Sequence, residues 1–494
     1  MVKVVVKWNK EKYEVDVDPT QNVECFKTQL FSLTCVPVER QKIMGFKGGI
    51  LKDDAQWKDL DLTEGKNLML VGSAVELQKP EKPIVFLEDL PASKAHAIAS
   101  SLPAGLSNLG NTCYLNSTVQ CLKNVPELLH VIKQYKPKNP NEFSTLLKTS
   151  QTLFGDLVKS HTPISPFMFL TAFRTCFPQF AERGKEGFLQ QDAEEAWSQL
   201  LTAYSHELPL EGETSHSSDP VSKSVIGKLF GIQAVEKFIC KENPSEEPTF
   251  RKETLLKLAC NITIETSYLL EGLKKGLEEE ITKRSDSLGR EAIYTKKTQI
   301  SVLPQYLTVQ FVRFHWKDTS KTKAKIVRTV QFPFTLDLFD LCTPEFQAQI
   351  APNRKIMEDE FNKGLERKRK GMEDKEQSPA EKKPDNTNNN SNVDSNLNLD
   401  PKPNETGKYE LIGVLTHQGR YAESGHYVAW VKKAEDQWLK FDDSIVTECN
   451  NEEIKKLSGG GDWHMAYMCL YKAIPVPKVE SDSNSTTTTT TTSN

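Results

Sequence analysis

The first part of this 494-residue chain alternates between apolar and polar positions, as a small half-buried sheet does. Two alternating runs flank a polar turn over residues 9–11, and their apolar positions are Val2, Val4, Val6, Tyr13, Val15 and Val17. This pattern predicts a β-hairpin. A helical spacing follows, carried by Val23, Phe26, Leu30 and Leu33. Short apolar segments around 43–44 and 68–71 predict two further strands.

The ββαββ order of these segments, together with residues 41–44 and 51–54, resembles ubiquitin. Residues 71–74 read Val-Gly-Ser-Ala and lack a terminal Gly-Gly pair. We therefore expect residues 1–73 to form a built-in ubiquitin-like β-grasp module rather than a cleavable modifier. A short polar linker is expected over residues 74–83.

The rest of the chain predicts one large domain over residues 84–476 with two polar segments. Residues 353–404 are rich in Lys, Glu, Asn and Pro and contain almost no aromatic residue. Such a composition buries too little apolar surface to offset the entropy of ordering. We expect a disordered insertion there, and a disordered Ser/Thr-rich tail over residues 477–494.

Composition narrows the class of protein. The net charge of −4 lacks the basic excess of a nucleic-acid binder, and no apolar run approaches the roughly 20 residues of a membrane span. The charged, alternating N-terminus does not resemble a signal peptide. The ten cysteines form no Cys-x-x-Cys pair, which argues against a zinc ribbon or a dithiol redox site. We expect reduced thiols and a location in the cytoplasm, with the nucleus as a further location.

The run from Gly105 to Ser117 contains the first candidate for chemistry. Cys113 follows a Gly/Asn/Thr turn and precedes apolar residues at helical spacing, which predicts a helix that begins at or near the cysteine. The unpaired amides and dipole of a helix N-terminus stabilise a thiolate, so a cysteine there is a good nucleophile. Asn108, on the same turn, has an amide that can point at an oxyanion. From this run alone, a structural cysteine is an equally good interpretation.

A cysteine nucleophile needs a base, and His426 is the candidate because it begins a strand after a glycine-flanked loop. A second strand follows and ends in Asp442 and Asp443. A hairpin centred near residue 434 places Asp442 opposite His426, where a carboxylate can orient the imidazole. Asp443 has the wrong side-chain parity in this register. His417 is interpreted as a structural histidine.

Together these segments resemble the ubiquitin-specific protease family of papain-like cysteine peptidases. The similarity covers a cysteine box (105–122), a Gln-Gln-Asp-Ala motif (190–193), a segment over 303–314 and a histidine box (409–471). It implies an α+β fold with thumb, palm and fingers. It also implies hydrolysis of the bond after the C-terminal glycine of ubiquitin or polyubiquitin, without a cofactor.

The resemblance assigns a role to each matched residue. It makes Cys113 the nucleophile, His426 the base and then the acid, Asp442 the orienting residue and Asn108 the oxyanion donor. The expected substrate-binding residues are Gln191, Asp192, Tyr427 and Tyr467. Asp192 is expected to pair with an arginine of the ubiquitin tail; an acidic helix N-terminus is the equally weighted alternative.

An N-terminal ubiquitin-like domain ahead of such a protease resembles the proteasome-associated branch of the family. Its members bind the regulatory particle of the 26S proteasome through that domain and trim ubiquitin from substrates, and we expect a monomer when free. The stretch over 224–300 has only Cys240 and Cys260, so we expect fingers without zinc. The resemblance implies that the loops over 317–323 and 418–425 cover the groove for the ubiquitin tail; ordinary solvated hairpin loops are the alternative.

Two other functions remain open from the sequence. One is a catalytically silent ubiquitin-binding scaffold on the proteasome. The other is a papain-like hydrolase that acts on a different modifier.

Overall fold

The computed structural model describes residues 2–72, 102–210, 219–317, 322–373, 401–421 and 424–477, with short gaps at 10, 20, 35, 47–48, 53–54, 56, 186 and 462. The chain forms two compact units, Met1–Ala95 and His96–Asn494. The predicted linker at 74–83 and nearly all of the predicted tail at 477–494 lie outside the described residues.

The N-terminal unit is a five-stranded sheet with one helix packed on it. Its elements are β1 (Val2–Trp8), β2 (Glu11–Val17), α1 (Val23–Thr34), β3 (Lys42–Phe46), β4 (Gly49–Ile50) and β5 (Lys66–Val71). The strand order is β2-β1-β5-β3-β4, with β1 and β5 parallel and the other pairs antiparallel. The alternating apolar residues of the strands and the apolar stripe of α1 form its core. The predicted β-grasp fold is confirmed.

The C-terminal unit combines helices with three sheets. Its helices are α2 (Cys113–Leu122), α3 (Pro126–Gln134), α4 (Glu142–Lys159), α5 (Phe167–Cys176), α6 (Ala193–Glu207), α7 (Val225–Phe230), α8 (Leu269–Gly276), α9 (Pro344–Glu373) and α10 (Asn451–Lys455). Its strands are β6 (Arg183–Gly184), β7 (Gly187–Phe188), β8 (Ile232–Cys240), β9 (Thr249–Leu255), β10 (Leu258–Asn261), β11 (Glu278–Arg284), β12 (Glu291–Val302), β13 (Tyr306–Val312), β14 (Phe314–Lys317), β15 (Thr322–Lys325), β16 (Thr335–Asp337), β17 (Lys408–Tyr421), β18 (Ser424–Ala434), β19 (Gln437–Asp442), β20 (Ile445–Cys449) and β21 (Met465–Ala473).

A ten-stranded sheet organises this unit. Seven strands follow the order β10-β13-β21-β17-β18-β19-β20, and β14, β15 and β16 join through β17. A four-stranded antiparallel sheet, β11-β12-β8-β9, is separate from it. Within the described residues no helix is both long and apolar enough to cross a bilayer.

The central sheet is covered on both faces, which explains the continuous apolar run over residues 427–431. On β18, Tyr427 and Ala429 face a core shared with α2 and α6, whereas Val428 and Trp430 face a second core shared with β13 and β21. Helix α2 packs against β18, β17 and α6. This packing brings the start of α2 to the start of β18, where the candidate residues lie.

The predicted boundaries of the insertion were wrong. Helix α9 continues to Glu373, so residues 353–373 are helical, and Asn404 is 2% exposed. This segment is highly charged, but residues of opposite charge recur at helical spacing. Nζ of Lys363, for example, lies 2.8 Å from Oε1 of Glu360, and such pairs stabilise a solvated helix. Residues 374–400 of the predicted insertion lie outside the described part.

Candidate active site

The cysteine lies at the first position of helix α2, as the sequence predicts. The turn before it needs left-handed backbone at Gly110 (φ 94°) and Asn111 (φ 54°), and Thr112 is the N-cap residue. Glycine and asparagine adopt this conformation more easily than other residues. The N–H groups of the first helical turn have no partner within the helix, so they surround Cys113 with donors. Cys113 is 3% exposed.

His426 and Asp442 form a close pair beside the cysteine. Nε2 of His426 lies 2.6 Å from Oδ1 of Asp442, and the side chains are 34% and 29% exposed. The other oxygen of Asp442 lies 2.9 Å from Nζ of Lys440. Cys113 lies close enough to His426 to act on its imidazole electrostatically. The three residues therefore form a Cys–His–Asp group.

The predicted hairpin register was wrong by two residues. Ala429 pairs with Phe441 and Trp430 with Lys440, so continuing this register puts Asp442 opposite residue 428 rather than His426. A bulge between Lys432 and Ala434 shifts the centre of the hairpin. Because residues 426 and 428 share one face of the strand, Asp442 still reaches His426 diagonally.

Electrostatic interactions within the Cys–His–Asp group favour the charged forms of His426 and Asp442. The hydrogen bond with Asp442, and then the interaction with Cys113, raise the pKa of His426 to about 10. The same contact with His426, helped by Lys440, holds the pKa of Asp442 well below its ordinary value. Near neutral pH the imidazolium form therefore predominates. This form stabilises a thiolate and can protonate a leaving amine.

Asp443 holds the turn that carries Asn108. Its Oδ2 accepts a hydrogen bond from Nδ2 of Asn108 at 2.8 Å, and its Oδ1 accepts one from Nδ2 of Asn116, also at 2.8 Å. The Asn108 oxygen accepts from the backbone N–H groups of Gly110 and Thr112. One of the two amide hydrogens of Asn108 is thus used by Asp443, and the other is available for a ligand.

The predicted substrate-binding residues lie deeper than expected. Asp192 caps helix α6 through the N–H of Glu194 at 2.8 Å and accepts the hydroxyl of Tyr467 at 2.8 Å, and burial raises the pKa of its carboxyl. Tyr427 and Tyr467 are 1% and 2% exposed. Gln191 donates to the carbonyl of Gln179. These contacts support the helix-cap interpretation of Asp192, and direct substrate contact by the four residues stays a prediction.

Gln190 links the segment before helix α6 to strand β18, and the sequence analysis gave it no role. Its Nε2 donates to the carbonyl of Gly425 at 2.8 Å, and its Oε1 accepts from the N–H of Gly425 at 2.9 Å. Gln190 precedes helix α6, whereas Gly425 lies on β18 directly before His426. The position of Gln190 in the Gln-Gln-Asp-Ala motif is the sequence feature that could have indicated this role.

Three further residues near the site were also missed or left without a role. Lys440 lies two positions before Asp442, hence on the same face of β19, and this spacing was a usable signal. Asn116 lies one turn into α2, but its pairing with a residue 327 positions away left no local signal. His464 is 4% exposed, with its ring 6.5 Å from that of His426.

The two cysteines of the stretch over 224–300 lie in different cores. Cys240 packs with Ala292 and Tyr294, whereas Cys260 belongs to the core behind the central sheet. In the described part of the chain, the potential metal-ligating side chains that come together as a group of three are His426, Asp442 and Asp443. Hydrogen bonds to His426, Asn108 and Asn116 account for these two carboxylates.

Known proteins share this architecture. The family profile "Ubiquitin carboxyl-terminal hydrolase" matches residues 104–471, and the profile "Ubiquitin family" matches residues 2–74. The chain is 44% identical to ubiquitin carboxyl-terminal hydrolase 7 of Arabidopsis thaliana over 484 residues, which cover 96% of this chain and 99% of the relative. It is 38% identical to ubiquitin carboxyl-terminal hydrolase 14 of Caenorhabditis elegans over 485 residues, which cover 95% and 93%.

The fold, the Cys–His–Asp group and these similarities together define a cysteine-type deubiquitinase. The chain belongs to the ubiquitin carboxyl-terminal hydrolase family and carries an N-terminal ubiquitin-like domain. From here on we use the names that the sequence resemblance implies, thumb for the helices α2–α7, palm for the ten-stranded sheet and fingers for the four-stranded sheet.

Proposed function

We propose that Cys113, His426 and Asp442 are the catalytic triad of this deubiquitinase. The observation that carries the proposal is the hydrogen-bonded pair of His426 and Asp442 beside Cys113, which interacts with the same imidazole. The thiolate of Cys113 attacks the carbonyl of the last glycine of ubiquitin, and His426 protonates the leaving lysine amine. Water activated by His426 then hydrolyses the thioester.

Asn108 is the proposed side-chain donor for the oxyanion. Its amide is oriented by Asp443, and the backbone N–H at the start of α2 lies on the same turn. A preorganised donor of this kind typically lowers an acyl-transfer barrier by about 3–4 kcal/mol. Asp443 then acts through Asn108 rather than on the substrate.

The nucleophile assignment is tested by cleavage of a ubiquitin–fluorophore substrate. Cys113→Ala is expected to abolish turnover because no other group in the triad forms the acyl intermediate. Cys121→Ala is the matched control, since Cys121 is a buried cysteine of the same helix, two turns away. Retained turnover in Cys113→Ala would refute the triad.

The burial of Cys113 and one contact next to His426 favour a low basal rate. Cys113 is 3% exposed, and Gln190 occupies both backbone groups of Gly425. A catalytically silent scaffold is the competing proposal. Turnover of the ubiquitin–fluorophore substrate by the free chain, at any rate that Cys113→Ala abolishes, decides against it.

We further propose that the protein trims ubiquitin from proteasome-bound substrates and binds the proteasome through its ubiquitin-like domain. The supporting observation is an exposed apolar patch on the face of the sheet opposite α1. It consists of Met44, Ile50, Met69 and Val71, which are 36%, 52%, 52% and 46% exposed. Met44 pairs directly with Met69 and with Ile50. Contiguous exposed apolar patches commonly mark interaction sites.

Co-sedimentation with purified 26S proteasome tests this surface. Met69→Glu is expected to reduce binding at least tenfold, while cleavage of the ubiquitin–fluorophore substrate is unchanged. Leu33→Glu is the control, because Leu33 is 47% exposed but lies on α1 at the other face. Equal binding by Met69→Glu and the parent protein would exclude the patch.

A further inference from the structure

The turn that leads into the proposed nucleophile is held at two asparagines by two distant segments. We call residues 108–112 the cysteine turn. Asn108 donates to Asp443, which lies 335 positions further along the chain. Asn111 donates from Nδ2 to the carbonyl oxygen of Phe188 at 2.9 Å, across 77 positions. The contact of Asn108 orients an oxyanion donor, whereas the contact of Asn111 has no role in the triad described above.

Asn111 lies where the backbone changes direction to enter helix α2. Its backbone is left-handed (φ 54°), a conformation that is costly for most residues other than glycine. The next residue is the N-cap Thr112, and Cys113 is the first residue of the helix. The side chain of Asn111 is exposed, so its bond to Phe188 has to compete with water. Any movement of Asn111 therefore moves the sulfur two residues later, unless Phe188 is itself held in place.

Two arginines hold the ring of Phe188. The guanidinium carbon of Arg174, on α5, lies 3.7 Å from the centroid of this ring, and that of Arg183, on β6, lies 4.4 Å from it. Both distances are well within the range of a cation–π interaction. Arg174 is half-buried and Arg183 is exposed, so the contact of Arg174 is the less weakened by water. The backbone of Phe188 thus has a fixed position from which its carbonyl receives Asn111.

Arg174 also supports the residue that follows the nucleophile. Its Nε donates to the carbonyl oxygen of Phe180 at 3.1 Å. The ring of Phe180 stacks on that of Tyr114, with centroids 5.7 Å apart and an angle of 18° between the planes. Both rings are completely buried, and Tyr114 comes directly after Cys113. The contacts of Arg174 therefore reach the chain on both sides of Cys113.

We propose that Asn111 is a positioning residue for Cys113, held by the carbonyl of Phe188, and that Arg174 holds Phe188 in turn. This inference rests on the proposed function of Cys113 as the nucleophile. The three residues act on the place of the attacking sulfur relative to Asn108 and the catalytic imidazole. Because a displacement of a reacting group by about 1 Å can cost about 10²-fold in rate, their loss reduces kcat rather than substrate binding.

Steady-state kinetics of the full chain with a ubiquitin–fluorophore substrate tests the role of Asn111. Asn111→Gly still adopts the left-handed conformation but lacks the amide, so kcat is expected to fall about tenfold while KM stays within about twofold. Asn9→Gly is the matched control, since Asn9 is also left-handed (φ 48°) but lies between β1 and β2 of the N-terminal unit. An unchanged kcat in Asn111→Gly, or an equal fall in Asn9→Gly, would overturn the proposal.

A double-mutant cycle tests whether Arg174 and Phe188 act through one contact. Arg174→Met and Phe188→Leu each remove the cation–π contact and keep the backbone carbonyl of residue 188, and each is expected to lower kcat about threefold to tenfold. The double variant is expected to lose no more than Arg174→Met alone, and Phe188→Tyr to retain most of the parent kcat. Losses that multiply in the double variant, or a changed pH profile of kcat, would contradict the proposal, because His426 and Asp442 keep their contact in every variant.

Amide hydrogen exchange supplies a measurement that does not depend on turnover. Exchange over residues 108–115 is expected to accelerate in Arg174→Met and in Phe188→Leu, which leave the sequence of the cysteine turn unchanged. Exchange in β13 and β21 is expected to match the parent protein, which separates this effect from general unfolding. Unchanged exchange over 108–115 would overturn the proposal. Absence of turnover in the parent protein, with the expected exchange, would refute the proposed function instead.

Discussion

At the residue scale, two adjacent aspartates have different partners because the backbone changes between them. Asp442 is the last residue of strand β19, whereas Asp443 has a left-handed backbone (φ 51°). The change of conformation turns the first side chain toward His426 and the second toward Asn108. Gly105 allows the two segments to approach, since a Cβ there would lie 2.5 Å from the carbonyl oxygen of Asp443.

The two aspartates are expected to differ in their effect on activity. Asp442→Asn leaves the imidazole without its anionic partner, and kcat/KM is expected to fall about 10³- to 10⁴-fold. Asp443→Asn places an amide group against the donors of Asn108 or Asn116, and a loss of about tenfold is expected. Steady-state kinetics with a ubiquitin–fluorophore substrate measures both losses. A larger loss for Asp443→Asn would mean that Asp443, not Asp442, is the third member of the triad.

The contact between His426 and Asp442 also predicts how the free energy of unfolding depends on pH. The folded-state pKa of His426, about 10, lies above its unfolded value of about 6.5, so its contribution is complete below pH 6.5 and is lost as pH rises through 10. The free energy of unfolding of the parent protein is therefore expected to exceed that of His426→Gln most at pH 6. Urea titrations from pH 6 to 10 measure the difference, and a gap that widens at high pH would contradict the assignment.

The sequence was sufficient to predict that these residues lie together but not all of their contacts. Helix signals around Cys113 and the parity of β19 were enough to select Cys113, His426 and Asp442. The bulge in the β18–β19 hairpin was not visible, so the register was misplaced by two residues. The partners of Asp443 lie 335 and 327 positions away, and only tertiary packing brings them together.

At the element scale, hydrogen bonds to one carboxylate stabilise the tip of the fingers. Glu246 accepts the hydroxyls of Ser285 at 2.7 Å and Tyr294 at 2.5 Å, and also that of Ser287. These bonds hold the pKa of Glu246 below its ordinary value. They join the loop after β8 to the β11–β12 connection, next to a small core of Cys240, Ala292 and Tyr294.

Removing this carboxylate is expected to loosen the fingers. In Glu246→Gln an amide group faces hydroxyl donors, so amide exchange is expected to accelerate over residues 285–294, and KM for ubiquitin substrates to rise a few fold. Glu247→Gln, at the exposed neighbouring position, is the control. Because the folded pKa is lowered, this stabilisation is lost as pH falls through it. Equal protection at pH 7 in both variants would contradict the role of Glu246.

Helix α9 shows where composition misleads at this scale. Few aromatic residues and many charges predicted disorder from residue 353 onward, yet the helix extends to Glu373. Its start is anchored by buried Phe346 and Ile350, and Arg354 pairs with Asp337 at 2.7 Å. Once a helix is nucleated in the core, extending it into a charged segment costs little free energy. The average composition of the segment does not show this.

At the scale of the whole molecule, each of the two units has its own hydrophobic core. The division into two units followed from the sequence because the β-grasp pattern is local, whereas the predicted linker lies outside the described residues. In contrast, the palm unites strands from residues 258 to 473, an order that no local pattern determines. The resemblance to a family supplied that topology.

Separate cores predict separate unfolding. Leu30 is completely buried in the N-terminal unit, and Leu30→Ala is expected to destabilise that unit by about 2–5 kcal/mol. Urea unfolding is expected to show an earlier transition for this unit only, with unchanged cleavage of the ubiquitin–fluorophore substrate. Leu33→Ala, an exposed position on the same helix, serves as the control. A shift of both transitions would mean that the units unfold as one.

The account as a whole depends on Cys113 as the residue that attacks the C-terminal carbonyl of ubiquitin. Ubiquitin carrying an electrophile in place of its last glycine tests this directly, with mass spectrometry to locate the adduct. The prediction is one adduct per chain, on Cys113, which is absent in Cys113→Ala and present in Cys121→Ala. An adduct on another cysteine, or equal labelling by a related modifier with the same electrophile, would contradict it.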